Sequence, residues 1–217
     1  MRITTGELIC FNSMLDRTPI FGFHGDIHAK EKSSINSTIE SLKEHQFLEE
    51  GRPNKKFALA VELLKRYKRA KKYLVVNNYR LALLTGKEYI IVLHQVGEDW
   101  ELELVNKKEF LTSLIIRNEF LIMDHSPENK KTTTVLHKDW VSLIVKKDIG
   151  RFIWIQTIKK GKANSPIIIY ELDGVSFMYD SNKEKLVEAD MASMQIMLAQ
   201  LFEIPLMKGA GDNGKNA

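Results

Sequence analysis

Between Tyr73 and Val105 the apolar residues leave the three-to-four spacing of a helix and recur in strand-like runs. This change of period constrains the fold of the 217-residue chain more than any other feature. The stretch breaks at Thr85-Gly86 and at Gly97-Glu98-Asp99, both turn-forming compositions. It therefore reads as an antiparallel meander of Tyr73 to Leu84, Glu88 to Val96 and Trp100 to Val105. In the last strand Trp100, Leu102 and Leu104 alternate with Glu101 and Glu103, which predicts one buried face and one wet face. Helices must then cover the apolar side.

The sequence supplies them. Thr4 followed by Glu7 is a capping-box signature ahead of Leu8, Phe11, Met14 and Leu15 at helical spacing. Arg17 to Glu31, with Pro19, Gly22 and Gly25, reads as a loop. Ile35, Ile39 and Leu42 stripe a second helix expected to end at Gly51 and Pro53, and Phe57, Val61, Leu64 and the stem of Lys68 mark a third. Beyond the meander, Asn106 with Glu109 caps a helix carrying Phe110, Leu111, Leu114 and Ile115.

The order then recurs. A helix with Leu136, Trp140, Leu143 and Ile144 leads into strands Phe152 to Ile158, Ile167 to Leu172 and Val175 to Asp180, with Asp173-Gly174 as a hairpin turn. Ser181 and Glu184 are expected to cap a closing helix that contains Leu186, Val187, Met191, Met194, Met197, Leu198 and Leu201. The expected fold is thus α+β, a pseudo-two-fold repeat in which antiparallel sheets are flanked by helical bundles. Residues 1–116 and 117–207 form its halves, packed as one domain, and the Gly, Asn and Lys tail from 208 to 217 is expected to be disordered.

Composition removes several classes of function. At 44% hydrophobic and 28% charged residues the chain has the balance of a globular protein, and its longest apolar runs are strand-sized, so no membrane insertion is expected. Glu7 interrupts any apolar core of an export signal, and the one cysteine, Cys10, sits among apolar neighbours. A cytoplasmic protein with a buried structural thiol is expected.

No constellation for catalysis stands out. His24, Asp26 and His28 lie in the glycine-containing loop and lack a third strong ligand at a familiar spacing. Asp124, His125 and Ser126 are adjacent in the chain, whereas a triad is assembled from distant segments. His137 and Asp139 fall near a helix start, and His45 and His94 have no visible partner. Glycine-rich phosphate loops, dinucleotide turns and paired-cysteine motifs are absent from the sequence. The expectation is a protein without catalytic residues, cofactor or metal.

Two features point to binding instead. Lys65, Arg66, Lys68, Arg69, Lys71 and Lys72 follow a helix pair and precede strands, which is how a winged-helix DNA reader is written. Against that reading, the cations spread over more than half the helix circumference and few base-reading amides lie near them, so nucleic acid is not the expected partner. Lys160-Gly161-Lys162 in a hairpin is either an anion contact or a solvated edge. Met191, Met194 and Met197 crowd one two-turn stretch of the last helix; they either fill core or offer an adaptable docking face.

The opening Ile3-Thr-Thr-Gly-Glu-Leu8 helix, the segment Ile39-Glu-Ser-Leu-Lys-Glu-His-Gln-Phe-Leu-Glu-Glu-Gly51, and the helix leading into a meander with Trp100-Glu-Leu-Glu-Leu104 together give a layout. It resembles the secretion-associated chaperones of type VII (ESX) systems, the EspG-like family and its EsaE-type counterparts in Gram-positive bacteria. The resemblance implies a cytosolic adaptor that shields a secreted protein substrate and presents it to the export ATPase. It implies contacts through a sheet loop and the C-terminal helical bundle, here loosely Gln95 to Trp100 and the helix with Val187, Met191, Met194, Met197, Leu198 and Leu201. The Gln95 to Asp99 turn is tighter than that loop contact requires.

Overall fold

The structure, a computed structural model, describes residues 1–23, 35–122, 132–147 and 151–205, with the backbone alone for 143–147. His24, Asp26 and His28, the Asp124-His125-Ser126 run, the side chains of Leu143 and Ile144 and the tail from 208 to 217 lie outside the described residues.

The first half runs β1 (Arg2–Ile3), α1 (Thr5–Ser13), α2 (Ile35–Glu44), the small hairpin β2 (Leu48–Glu49) and β3 (Arg52–Pro53), and α3 (Lys55–Lys68). Strands β4 (Lys72–Val76), β5 (Tyr79–Leu83), β6 (Tyr89–Val96) and β7 (Asp99–Asn106) follow, then α4 (Lys107–Arg117) and a 3-10 turn at Glu119–Leu121. The second half holds β8 (Thr132–Thr134), α5 (His137–Lys147), β9 (Phe152–Lys159), β10 (Lys162–Ala163), β11 (Ile167–Leu172), β12 (Val175–Asp180), β13 (Lys185–Glu188) and α6 (Met191–Leu201).

The two expected meanders are one sheet. Among the described residues it has eleven strands in the order β1-β7-β6-β5-β4-β9-β11-β12-β13-β8, with β10 beside β9. The halves join where β4 and β9 pair antiparallel, Lys72 opposite Lys159 and Val76 opposite Ile155. The α+β class is therefore correct. The halves differ in detail, since the first carries α1–α3 and a separate small hairpin while the second carries α5, β8 and β10. The repeat remains a reading of element order.

Both faces of the sheet are covered, which explains uninterrupted apolar runs such as Ile90 to Leu93 and Ile167 to Tyr170. On the first face Phe11, Phe47, Phe57, Leu64 and Tyr67 of the N-terminal segments and α3 pack on Ile91, Leu93, Trp100 and Leu102. On the second, Leu111, Leu114, Phe120, Met194, Leu198 and Phe202 pack on Leu74, Val76, Leu81, Ile90, Val92, Ile153, Ile155 and Ile169. Strand alternation returns Ile168, Tyr170 and Tyr179 to the first face, where Trp140 of α5 stacks on Tyr179 with centroids 4.8 Å apart. The expected wet face survives only near one edge, at Glu101 and Glu103, and Leu104, expected inside, is 45% exposed.

Three boundaries differ from expectation for identifiable reasons. Tyr73 to Leu84 is a hairpin rather than one strand; it turns at Asn77 (φ 51), a left-handed position that asparagine tolerates. Its Oδ1 accepts from the Trp154 amide (2.8 Å) and its own amide donates to the Trp154 carbonyl (2.9 Å). The second helix stops at Glu44, because the chain turns at Gln46 (φ 56) to bury Phe47, and Gly51 (φ 76) instead turns the β2–β3 hairpin. Ser181 and Glu184 do not cap the last helix. Asp180 Oδ1 accepts from the amides of Asn182 (3.0 Å) and Lys183 (3.2 Å), turning the chain tightly into β13. Val187 is thus a strand residue opposite Met178, and α6 begins at Met191, capped by Asp190, whose Oδ1 accepts from Ser193 N (2.7 Å).

Candidate functional site

Register places Tyr79 on β5 opposite His94 on β6, and His94 opposite Glu101 on β7, so the three side chains form a rank on the second face. Asn106 caps α4 by accepting from Lys108 N (2.9 Å), starting the helix directly after β7. α4 returns along this face, burying Leu111 and Leu114 and leaving a groove of about 580 Å³ beside the rank. Its walls carry Val92, Val105, Phe110 and Leu114, and its rim carries Glu101, Glu103, Glu109, Ser113 and Arg117.

The rank is ordered by its own contacts. The Tyr79 ring stacks on His94 (4.3 Å, 25°), the Phe110 ring meets it edge-on (5.5 Å), and Arg117 Nη1 donates to its hydroxyl (3.2 Å). His94 Nδ1 lies 3.5 Å from a Glu101 carboxylate oxygen. The N-terminal amine lies 3.5 Å from Glu103. Three carboxylates against one guanidinium give the lining a formal charge of −2 with His94 neutral. Such a groove suits an apolar segment flanked by cationic groups.

The two histidines expected to lack partners both have one. His94 has Glu101, and His45 Nδ1 lies 3.0 Å from the carboxylate of Glu7, which is fully buried. Glu7 also accepts from Thr4 N (2.7 Å) and Ser41 Oγ (2.9 Å), so the expected capping box doubles as a bolt between α1 and α2. Ser41 donates to Glu7 alongside His45, an arrangement that ties helices rather than one that activates the hydroxyl. Cys10 is half-buried, and burial, then the Glu7 charge, raise its thiol pKa. No group of three or more His, Cys, Asp or Glu side chains suited to a metal occurs among the described residues.

The sequence-predicted binding residues do not form one surface. Trp100 is buried on the first face, its ring against Phe23 and its indole N–H donating to Thr5 Oγ1 (3.3 Å). Gln95 is exposed and donates to the Gly97 carbonyl (3.2 Å), closing its own turn. Met194 and Leu198 are core on the second face; Met197 and Leu201 pack partly buried against that core, and Met191 and Val187 are half-buried. In this conformation the methionine stripe fills space under α6 rather than facing solvent. The large apolar residue that α6 does expose is Ile196, 45% accessible. Its neighbour Gln195 donates to the Leu121 carbonyl, next to exposed Ile122, and Ile116 of α4 is exposed as well.

The family model described as a domain of unknown function (DUF5081) matches residues 2–210. The chain belongs to this family. No curated protein matches it. In this DUF5081 member the groove residues Tyr79, His94, Glu101, Glu103, Glu109 and Arg117 were missed because each is unremarkable in sequence. The signal that finds them is the tight Gly97 turn, from which counting back and forward pairs His94 with Glu101. The expected contact turn, Gln95 to Trp100, contributes Val96 to the groove. No helix among the described residues is long and apolar enough to cross a membrane.

Proposed function

We propose that this protein is a cytoplasmic chaperone or adaptor that binds a type VII secretion substrate, a toxin or a helical substrate pair, and delivers it to the export machinery. The observation that carries the reading is the open groove between α4 and β5–β7, apolar within and charged at its rim. Exposed Ile116, Ile122 and Ile196 lie on the helical layer of the same face. A chaperone needs an accessible apolar surface bounded by charge, and burial of a few anchors there supplies most of its binding energy. The layout likeness to type VII chaperones supplies the substrate class.

The winged-helix alternative draws no support from the architecture. α3 lies against the sheet with Phe57, Ala60, Leu63, Leu64 and Tyr67 inside, and the strands after it are the centre of the sheet rather than a wing.

Affinity purification of the tagged protein from its native host, followed by size-exclusion chromatography of whatever it retains, tests the proposal. A stable complex is expected, and Ser113→Trp, which fills the groove from an exposed position on α4, is expected to weaken it roughly tenfold or more, as hot-spot substitutions do. Absence of a complex with any secretion substrate or export ATPase, or a complex indifferent to Ser113→Trp and to Ile196→Asp, refutes it.

A further inference from the structure

Two lysine-rich motifs far apart in the sequence meet in the fold. The Lys160 amide donates to the Lys71 carbonyl (3.1 Å), which fixes the tip of the β9–β10 hairpin against the end of α3 and the start of β4. Lys72 stands opposite Lys159, and Lys159 opposite Lys162. Three ammonium groups therefore leave the same face in one rank, on strands about 4.8 Å apart. Lys160 (φ 52) and Gly161 (φ 74) form the two-residue turn that imposes this register. Like charges directly opposite one another destabilise an antiparallel pair; Glu203 relieves this at Lys72, whereas the opposed Lys159 and Lys162 have no acid beside them among the described residues.

Much of the basic run is already occupied. Lys68 is held by Asp16 and by the Asn12 side-chain oxygen, and Lys65 and Arg66 lie 3.8 and 2.8 Å from Glu62. Lys72 donates to Glu203 (3.0 Å) and to the Leu201 carbonyl (3.1 Å), and Lys107 lies 3.9 Å from the same glutamate. Arg69, Lys71, Lys159, Lys160 and Lys162 are exposed, and none is ion-paired to a described residue; Arg69 reaches Glu62 only through its field.

The geometry points to a docking site for an acidic polypeptide segment, whose carboxylates lie among Arg69, Lys71, Lys159, Lys160 and Lys162. The cluster already does this once with its own chain, where Lys72 grips a side-chain carboxylate and a peptide carbonyl together. Lysines predominate, and their flexible point charges accept irregularly spaced carboxylates where arginines would impose paired geometry. No exposed large apolar or aromatic side chain lies on the last turn of α3, on β4 or on the β10 end of the hairpin. The site therefore offers nothing to stack a base or to enter a bilayer. This site is separate from the α4 groove and does not depend on the function proposed for it.

The full chain titrated with a fluorescein-labelled oligoglutamate peptide, a mixed-sequence DNA duplex, and phosphatidylcholine vesicles containing phosphatidylglycerol tests the site. Saturable peptide binding that falls steeply with salt is expected. Lys162→Glu sets a carboxylate opposite Lys159; it is expected to weaken the peptide roughly tenfold without lowering the thermal midpoint. Ser113→Trp is expected to leave the peptide affinity unchanged, which distinguishes failure here from failure at the groove. No peptide binding at low salt, unchanged binding by Lys162→Glu, or tighter binding of duplex or vesicles than of peptide overturns the inference.

Discussion

Truncating Met194 to alanine separates the two readings of the methionine stripe. The side chain is 1% exposed and packs in the cluster that includes Leu114, Ile153, Leu198 and Phe202. The substitution removes a methylene, a sulfur and a methyl group. At ~0.8 kcal/mol for each such group the transfer contribution is about 2.4 kcal/mol, and the cavity left behind raises the cost to about 3 kcal/mol. For a chain of this size that lowers the thermal midpoint by about 6–12 °C. Urea unfolding followed by tryptophan fluorescence measures it, with Met194→Leu as the volume-conserving control expected to cost under ~1.5 kcal/mol. Ile196→Ala, at an exposed position on the same helix, is expected to change stability by at most about 0.5 kcal/mol. A loss below ~1 kcal/mol for Met194→Ala would mean that the side chain is not packed as described, and the docking reading of the stripe would regain its footing.

Two further outcomes follow from buried polar groups. Glu7→Gln forces an amide N–H₂ toward one of three donors, Thr4 N, Ser41 Oγ or His45 Nδ1, and is expected to cost about 2 kcal/mol in urea unfolding; a loss under ~0.5 kcal/mol contradicts the bolt between α1 and α2. Burial raises the phenol of Tyr73 to about 12, and burial, with the Tyr73 charge second, raises that of Tyr67 as well. The folded state therefore favours the protonated phenols. Their contribution is complete below pH ~10 and is lost as pH rises from there through 12, and Tyr73→Phe is expected to flatten that limb of a stability-versus-pH curve. An unchanged slope between those values refutes the assignment.

The sequence was most legible where local chemistry decides the structure. Thr4 with Glu7, Asn106 as a cap, Asp173-Gly174 as a turn and the strands of the first meander after Thr85-Gly86 are all settled within a few residues, and each stands where it was expected. The misplaced start of α6 shows the opposite case. Ser181 and Glu184 satisfy the same capping pattern as Thr4 and Glu7, yet Asp180 captures the amides of Asn182 and Lys183 first. Lys185–Glu188 is then drawn into the sheet by pairing with both β12 and β8. A three-residue pattern cannot weigh that competition, because the partner strands lie elsewhere in the chain. The same reason hid the merger of the two meanders, which depends on β4 pairing with β9, and left Met194 open between core and docking face, a choice that depends on the sheet face that α6 covers.

Charge shows most clearly why local reading fails for a surface. The Lys65 to Lys72 run is the densest basic stretch in the sequence, and it is largely neutralised in the fold by Glu62, Asp16 and Glu203, acids drawn from three separate segments. Lys159, Lys160 and Lys162 make a weaker motif, and none of them is ion-paired to an acid among the described residues; β4, the strand beside them, carries no acid. A net charge of +4 therefore understates the local field at this end of the sheet. The electrostatic footprint belongs to strand register rather than to sequence density: Lys72 acquires Glu203 because α6 ends above it, whereas Lys159 and Lys162 acquire only each other. On this argument, exchanging Glu203 for glutamine adds one more uncompensated cation and strengthens oligoglutamate binding, while the same exchange at Glu103, on β7 four strands away from β9, leaves it nearly unchanged. Equal effects at the two positions would show that total charge, not register, sets the field.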